Sequence, residues 1–441
     1  MNTANGTLWQ NWSGSVHARP ARVVTPGGIA EAAVAVKDAA RDGLRVKAVG
    51  SGHSFSSIAA TDGVLMRMDR LDRLVDVDRE SGLVTVEGGM PLHRLNPLLA
   101  DHGLAMENLG DIDRQTITGA ISTGTHGTGV GFGSISTQVR ALELVLADGS
   151  TVRCSRQERP ELFAAARVGL GALGVITRVT LQCVPAFAMH AVEQPMPLDR
   201  VLGDLDQWVD GNDHFEFFWF PHTRTALTRR NRRLPADTPL RPSSRPRRWF
   251  DDEFVTNTAL EGLLRLGTAL PRTVPGITRL VTGALSAREY TDLSHRIFAS
   301  RRDVRFHEGE YAIPRETAPD VLREIARWVD THDERISFPL EVRFAAADDI
   351  PLAPTYRRTS AYIAFHQYHR MPYRRYFDAM ESILGSAGGR PHWGKQHSLD
   401  AARLRPRYPC FEEFVALRDE LDPTGLFTND YLNRVLGTPA A

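Results

Sequence analysis

Three glycine-rich runs stand in the first half of this 441-residue chain: "GSGHS" at 50–54, "TGAISTGTHGTGVGFG" at 118–133 and "GLGALGV" at 169–175. Glycine lets backbone N–H groups approach phosphate oxygens closely, and the interleaved Ser and Thr hydroxyls add donors. A single run of this kind is often just a turn; three together point to a phosphate cradle. None is a Walker A loop, because no Gly-Lys-Ser/Thr follows, and none is a clean GxGxxG between a strand and a helix. His53 lies inside the first run, facing whatever that turn holds. A neutral imidazole nitrogen is a nucleophile and can bond to an electrophilic cofactor. His126, in "TGTHGTG", reads as a packed, hydrogen-bonded histidine.

The second half offers charge instead of glycine. "LEVRF" puts Glu341 and Arg343 at i and i+2, on one face of a strand. The pair reads either as a structural ion pair or as an acid and a guanidinium that orient a polyhydroxy ligand. "RPHWGKQHS" gathers His392, Trp393, Lys395 and His397 beside a glycine. Lys395 could stabilise an oxyanion or, with a lowered pKa, take a proton; otherwise it is a solvated loop lysine. Histidines at 392 and 397 do not have HExxH spacing, so no metal site is expected.

These residues need elements to hold them. "TPGGIAEAAVAVKDAARD" predicts a helix with Ile29, Ala33, Val36 and Ala40 on one face, and "LRVKAVG" a strand leading into the first glycine run. "PLHRLNPLLADHG" predicts a helix, and "VRALELVLADGSTVRC" a hairpin turning at Asp148-Gly149. Residues up to about 187 mix short strands with a few helices and lack a regular βαβ series. Beyond them, "DHFEFFWFPHT" and "SFPLEVRFAAADD" read as strands, with amphipathic helices in "LDRVLGDLDQWVDG", "APDVLREIARWVDTHD" and "YRRYFDAMESILGSAGG". The fold class is α+β in two domains, the second built on a largely antiparallel sheet with flanking helices.

Lys+Arg and Asp+Glu both number 53, so no global field points to nucleic acid. Cys154, Cys183 and Cys410 are scattered, which fits a reducing compartment. The N-terminus lacks a signal-peptide pattern, and no apolar run approaches the roughly 18 residues of a membrane span. A cytoplasmic location is expected. The Arg-rich stretch 228–250 predicts an exposed, Pro-broken loop, with contact to a partner or to anionic lipid at the membrane periphery as the alternative.

Taken together, "VGSGHSFSSIAATDG", "ENLGDIDRQTITGAISTGTHGTG", "GALGVITRVTL", "FEFFWFPHT", "LEVRF" and "RPHWGKQH" resemble the vanillyl-alcohol-oxidase type of FAD-linked oxidoreductase, and within it the aldonolactone oxidase and dehydrogenase branch. The likeness runs from "NWSGS" to "DPTGLFTNDYLNRVLG". It implies a bipartite FAD-binding domain of the PCMH type over 13–187, and a substrate or cap domain over 188–441 whose tail returns to the flavin. It gives His53 a covalent bond to the flavin. Pyrophosphate contacts fall to Val49, Gly50, Ser51, Gly52, Ser54, Thr118, Ser122, Gly124, Thr125 and Gly127, and adenosine contacts to Gly174 and Ile176. Gly110 and Asp111 lie by the isoalloxazine, and a glycine at 110 is compatible with oxidase activity. Lys395, Arg343 and Glu341 become catalytic, and together with Asp111 and His366 they contact substrate. Alditol oxidases have Ser where Asp111 stands and Thr where His366 stands, which favours a lactone ring over a polyol. The implied reaction is hydride transfer from an aldono-1,4-lactone (D-arabinono, L-gulono or L-galactono) to flavin N5, with reoxidation by oxygen or by a cytochrome or quinone carrier. A polyol oxidase and a non-enzymatic sugar- or nucleotide-binding protein are the competing readings.

Overall fold

A computed structural model of the chain describes residues 8–243, 260–300 and 303–439. Near the N-terminus Arg22–Val24 and Val46–Val49 flank strand Val64–Arg67, both parallel to it. Helix Ile29–Arg41 connects the first two, so this part is a βαβ unit, which the irregular spacing of the strands in sequence does not suggest. The helix buries Ala32, Ala35, Val36 and Ala39. The predicted face is therefore rotated: Ile29 and Ala33 sit at its margin and Ala40 is exposed. Small alanines let the helix lie close to the strands, and on an alanine-rich helix the few larger side chains define the apolar stripe poorly.

Residues 74–182 form a five-stranded antiparallel sheet in the order Thr151–Ser155, Val139–Val145, Val175–Gln182, Leu83–Glu87, Leu74–Asp78. The hairpin at Asp148-Gly149 forms as expected, with Gly149 at φ 75°. The predicted helix in "LDRVLGDLDQWVDG" is two short helices, Leu198–Gly203 and Leu205–Asp210, broken at Asp204.

An eight-stranded sheet dominates the second half, in the order Arg288–Leu293, Phe187–Pro197, Thr225–Pro235, His214–Trp219, Leu340–Ala345, Ser360–Tyr368, Phe306–Pro314, Arg390–Pro391. The Arg-rich stretch is thus no loop over 228–235. Residues 228–231 are paired on both sides, to Phe187–Pro197 and to His214–Trp219, and 232–235 to Phe187–Pro197, because neighbouring strands satisfy their backbone groups. Residues 244–250 of that stretch lie outside the described residues.

The period of two gives this sheet two unlike faces. On one face Phe365 packs edge-on against Tyr376 and Phe377 of helix Arg374–Ser386, and Phe344 stacks with Phe215. Helix Ala318–Thr331 is packed through Val321, Leu322, Ile325 and Val329. Each such side chain contributes about 1.5–3 kcal/mol on burial. The other face carries Glu216, Glu308, Glu310, Glu341 and Arg343, all buried.

A late segment fastens the first glycine loop. Asn429 Nδ2 donates to the carbonyls of Ser57, Ile58 and Ala60, while its Oδ1 caps the next helix by accepting Leu432 N–H. Val46 N–H donates to Leu426 O at 2.7 Å, and Phe55 N–H to Gly394 O at 2.6 Å. Among the described residues, no helix is long and apolar enough to cross a membrane.

Candidate active site

Two cavities meet at His53. The larger, about 720 Å³, lies between the first half and the charged face of the eight-stranded sheet. Ser51, His53, Ser54, Asp111, Thr125, Glu341, Arg343, His366 and Lys395 all line it. The smaller, about 100 Å³, is walled by Val49, Gly50, Gly52, Thr118, Ser122, Gly174 and Ile176, and shares Ser51, His53 and Ser54 with the larger. Gly110, Gly124 and Gly127 stand outside both walls. Gly124 ends a helix in the left-handed region at φ 76°, and a Cβ on Gly127 would meet Leu109 O at 2.1 Å. Chain geometry alone accounts for glycine at those two positions.

His53 stacks on Trp12 with ring centroids 5.6 Å apart. Burial, with Lys395 and Arg114 nearby, brings its pKa down to about 4, so the ring is neutral at ordinary pH. Trp12, Phe55 and Phe306 form an aromatic wall beside it. Phe55 also lies under Lys395, whose ammonium is 5.1 Å from the ring centre.

Lys395 Nζ lies 2.5 Å from Glu308 Oε1. Burial opposes the ammonium, but the carboxylates of Glu308 and Glu310 outweigh it and raise the pKa. The lysine is therefore a cationic donor. The proton-accepting alternative, which needs a lowered pKa, has no support in this geometry.

Glu308 and Glu310 alternate on strand Phe306–Pro314, and each also meets a histidine. His366 Nε2 is 3.2 Å from Glu308 Oε1, and His126 Nε2 is 3.2 Å from Glu310 Oε1. The Nδ1 of each ring faces a carbonyl, Pro339 O at 3.0 Å and Gly127 O at 2.8 Å. A carbonyl only accepts, so both Nδ1 atoms carry hydrogen, and each Nε2–Oε1 contact is a hydrogen bond only with a second proton on it. His126, Glu310 and His392 also come close enough together to hold a metal ion. However, His392 Nδ1 accepts the Gly394 N–H at 3.0 Å, which leaves its one proton on Nε2, so neither nitrogen of that neutral ring is free to ligate.

Arg343 is the hub of the remaining charges. Its Nη2 lies 2.5 Å from Glu341 and 3.4 Å from Asp111, and its Nε donates to Glu216 at 3.0 Å. Glu216 pairs in turn with Arg229 at 3.3 Å, Arg229 with Glu193 at 3.3 Å, and Glu193 with Arg288 at 2.5 Å. Arg288, Glu193, Arg229, Glu216 and Arg343 are direct cross-strand partners on five successive strands. Arg343 is thus both of the things its spacing suggests, an ion-paired residue and one that faces the cavity. Burial opposes its charge, but Glu341, Asp111 and Glu216 raise its pKa well above the usual value.

Four residues of the site escape a reading of the sequence: Trp12, Glu216, Glu308 and Glu310. The "HEGEY" run at 307–311 has the same i, i+2 pattern as "LEVRF" and is the available signal for two of them. Trp12 and Glu216 lie within "NWSGS" and "FEFFWFPHT", yet no pattern of residue types there assigns either a role.

Residues 179–435 match the family described as D-arabinono-1,4-lactone oxidase, and residues 20–155 match a FAD binding domain. The chain is 46% identical over 430 residues to L-gulono-1,4-lactone dehydrogenase of Mycobacterium tuberculosis, covering 98% of this chain and 99% of that protein. It is 38% identical over 437 residues to L-gulonolactone oxidase of Mus musculus, covering 98% of each. Among solved structures, cholesterol oxidase from Brevibacterium sterolicum superposes with a TM-score of 0.83 over 99% of this chain and 97% of that one. At 17% identity the likeness is one of fold.

Proposed function

The chain belongs to the D-arabinono-1,4-lactone oxidase family, and from that premise we propose how its residues divide the work of oxidising an aldono-1,4-lactone. It is an FAD-dependent oxidoreductase acting on a carbinol group of the sugar-derived lactone. The observation that carries the division of roles is the pairing of two cations with carboxylates in one cavity beside His53: Lys395 with Glu308, and Arg343 with Glu341.

The narrow cavity suits FAD. A Cβ on Gly50 would lie 2.1 Å from Thr116 Oγ1, so only the bare backbone fits there, and Gly52 turns at φ 70°. Loop N–H groups and the hydroxyls of Ser51, Ser54 and Ser122 would serve as donors to the diphosphate, while the Thr118 hydroxyl, which lines the same wall, donates to Gly88 O at 2.7 Å. His53, neutral and half-buried where the two cavities meet, supplies the nucleophilic nitrogen for a covalent bond to the flavin.

Bound FAD supplies the acceptor for the hydride leaving the carbon next to the lactone carbonyl. Lys395 would donate to the carbinol oxygen and stabilise its negative charge, while the proton that oxygen loses would pass to a carboxylate of the cavity wall, Glu308 or Glu341. Arg343, held on three sides, supplies a second cation in fixed orientation. Glu341 keeps Arg343 in place and accepts from sugar hydroxyls, with Asp111 and His366 completing the wall. A preorganised donor of this kind contributes about 2.7–4 kcal/mol to transition-state stabilisation. The electron acceptor is oxygen or a cytochrome or quinone carrier.

Steady-state kinetics on several lactones and polyols, with oxygen and separately with an artificial acceptor, tests substrate and acceptor together. Faster turnover of polyols than of every lactone would overturn the substrate reading. Acid precipitation tests the bond: a yellow pellet is expected, and a colourless pellet under a yellow supernatant means the flavin is not covalently held.

A further inference from the structure

Strand Val46–Val49 carries one ionisable residue, and it points inward. Lys47 is 2% exposed. Its ammonium donates to Gly171 O and to Phe427 O, both at 3.1 Å. An ammonium has three N–H bonds, so two are accounted for. No carboxylate among the described residues forms an ion pair with it. The one carboxylate whose field reaches it is Asp422, and both oxygens of Asp422 already accept N–H groups, from Leu426 and Phe427. A buried cation without a counter-ion is costly unless something else supplies the negative charge. Burial accordingly pushes the amine down to about 7.

The position of the amine indicates what that something is. Lys47 lines the narrow cavity with Gly50, Ser51 and Gly171, and a Cβ on Gly171 would lie 3.5 Å from Nζ. This is the wall already supplied with backbone N–H groups and hydroxyls, a set of donors that suits an anion. We propose that Lys47 is a further cofactor-binding residue whose ammonium answers the diphosphate of FAD, and that the protein takes up a proton at Lys47 as the cofactor binds.

This role rests on the FAD reading and extends it to a linkage with pH. In the cofactor-free protein the amine is largely neutral above pH 7. A diphosphate in the cradle restores the charged form, so binding draws in a proton and affinity weakens as pH rises from 7 to 9. The other ionisable group lining this cavity, His53, is held down to about 4 and does not titrate there.

Calorimetry on the full-length His53→Ala protein, stripped of flavin so that binding is reversible, tests this at pH 8 in two buffers of different ionisation enthalpy. FAD and ADP should each take up a substantial fraction of a proton, and riboflavin, which lacks phosphate, none. Adding Lys47→Met should weaken FAD binding at least tenfold and abolish the uptake. Lys47→Arg should keep tight binding while losing the pH dependence, and it serves as the test should the Met variant fail to fold. Unchanged affinity and uptake in Lys47→Met, even with a lowered Tm, would mean that the lysine only fastens the Phe427 segment, and the proposal would fall. If the parent bound ADP but not FAD, the FAD reading would fail by itself and the diphosphate assignment would stand.

Discussion

The two halves of the molecule recognise in opposite ways. The first presents backbone: a glycine loop, short hydroxyl side chains and a single buried lysine around a narrow slot. The second presents long charged side chains on one face of a sheet, pinned by ion pairs such as Arg343 with Glu216 across neighbouring strands and Lys395 with Glu308. The difference follows from the tasks. A cofactor that stays in place is held by groups that cannot move. A substrate that must be bound, turned over and released meets charges whose strength depends on their neighbours. Damage should accordingly be all-or-none in the first half and graded in the second.

The sharpest challenge to that contrast is Gly50→Val. The added atoms collide with Thr116, which caps helix Ile117–Thr123 through Gly119 N–H and cannot simply rotate away. Purified protein should contain no flavin by absorbance, while a normal flavin content would show that the backbone loop is dispensable. Lys395→Met comes next. It should keep full flavin content but lower kcat by about 10²–10³-fold, the cost of removing one preorganised donor. Unchanged turnover would remove Lys395 from the chemistry.

Glu216→Gln tests grading directly, because Glu216 touches Arg343 and lies outside the cavity wall. Stopped-flow flavin reduction should slow by at most about 100-fold, what an ångström of misplacement costs, with flavin binding unaffected. Glu216→Leu, which removes one carboxylate from each of two buried guanidinium groups that keep other partners, should also lower Tm. Were Gln and Leu equally harmless, the cross-strand row would have no bearing on the site.

The smallest effect in the physiological range is on stability. Burial holds both His214 and His392 down to about 4 from an ordinary 6.5. The unfolded chain takes up these protons from pH 6.5 downward and the folded chain only near 4. Their contribution is therefore complete above pH 6.5 and is lost as pH falls to 4. Thermal melts should show a falling Tm across that window, and a flat profile would mean these rings are not neutral and buried.

How much of this is legible in sequence divides along the same line. Glycine loops are local: the residues that shape the turn sit beside those that face the ligand, so "GSGHS", together with the two further glycine runs, reads as a cradle from residue types alone. The charged face is not local. Glu216 and Arg343 are 127 positions apart and meet only because their strands are neighbours in the sheet. "LEVRF" and "HEGEY" follow the same two-residue alternation, yet only the first is legible. Its charges are separated by Val342, a good strand former, whereas Gly309 stands between Glu308 and Glu310 and weakens the strand signal. The Arg-rich stretch misleads because prolines farther along suggest a loop, while strand residues 226–231 have partners on both sides and 232–235 on one side to satisfy their backbone.

The fastening of the first glycine loop by Asn429 has a consequence for biosynthesis. Three carbonyls of the turn that follows that loop, at Ser57, Ile58 and Ala60, find their donor about 370 residues downstream. At roughly 5–20 residues per second a ribosome spends some tens of seconds between the two. The segment that walls the slot is therefore translated well before the asparagine that fastens it. In a nascent chain those three carbonyls lack this donor until the segment around residue 429 has emerged.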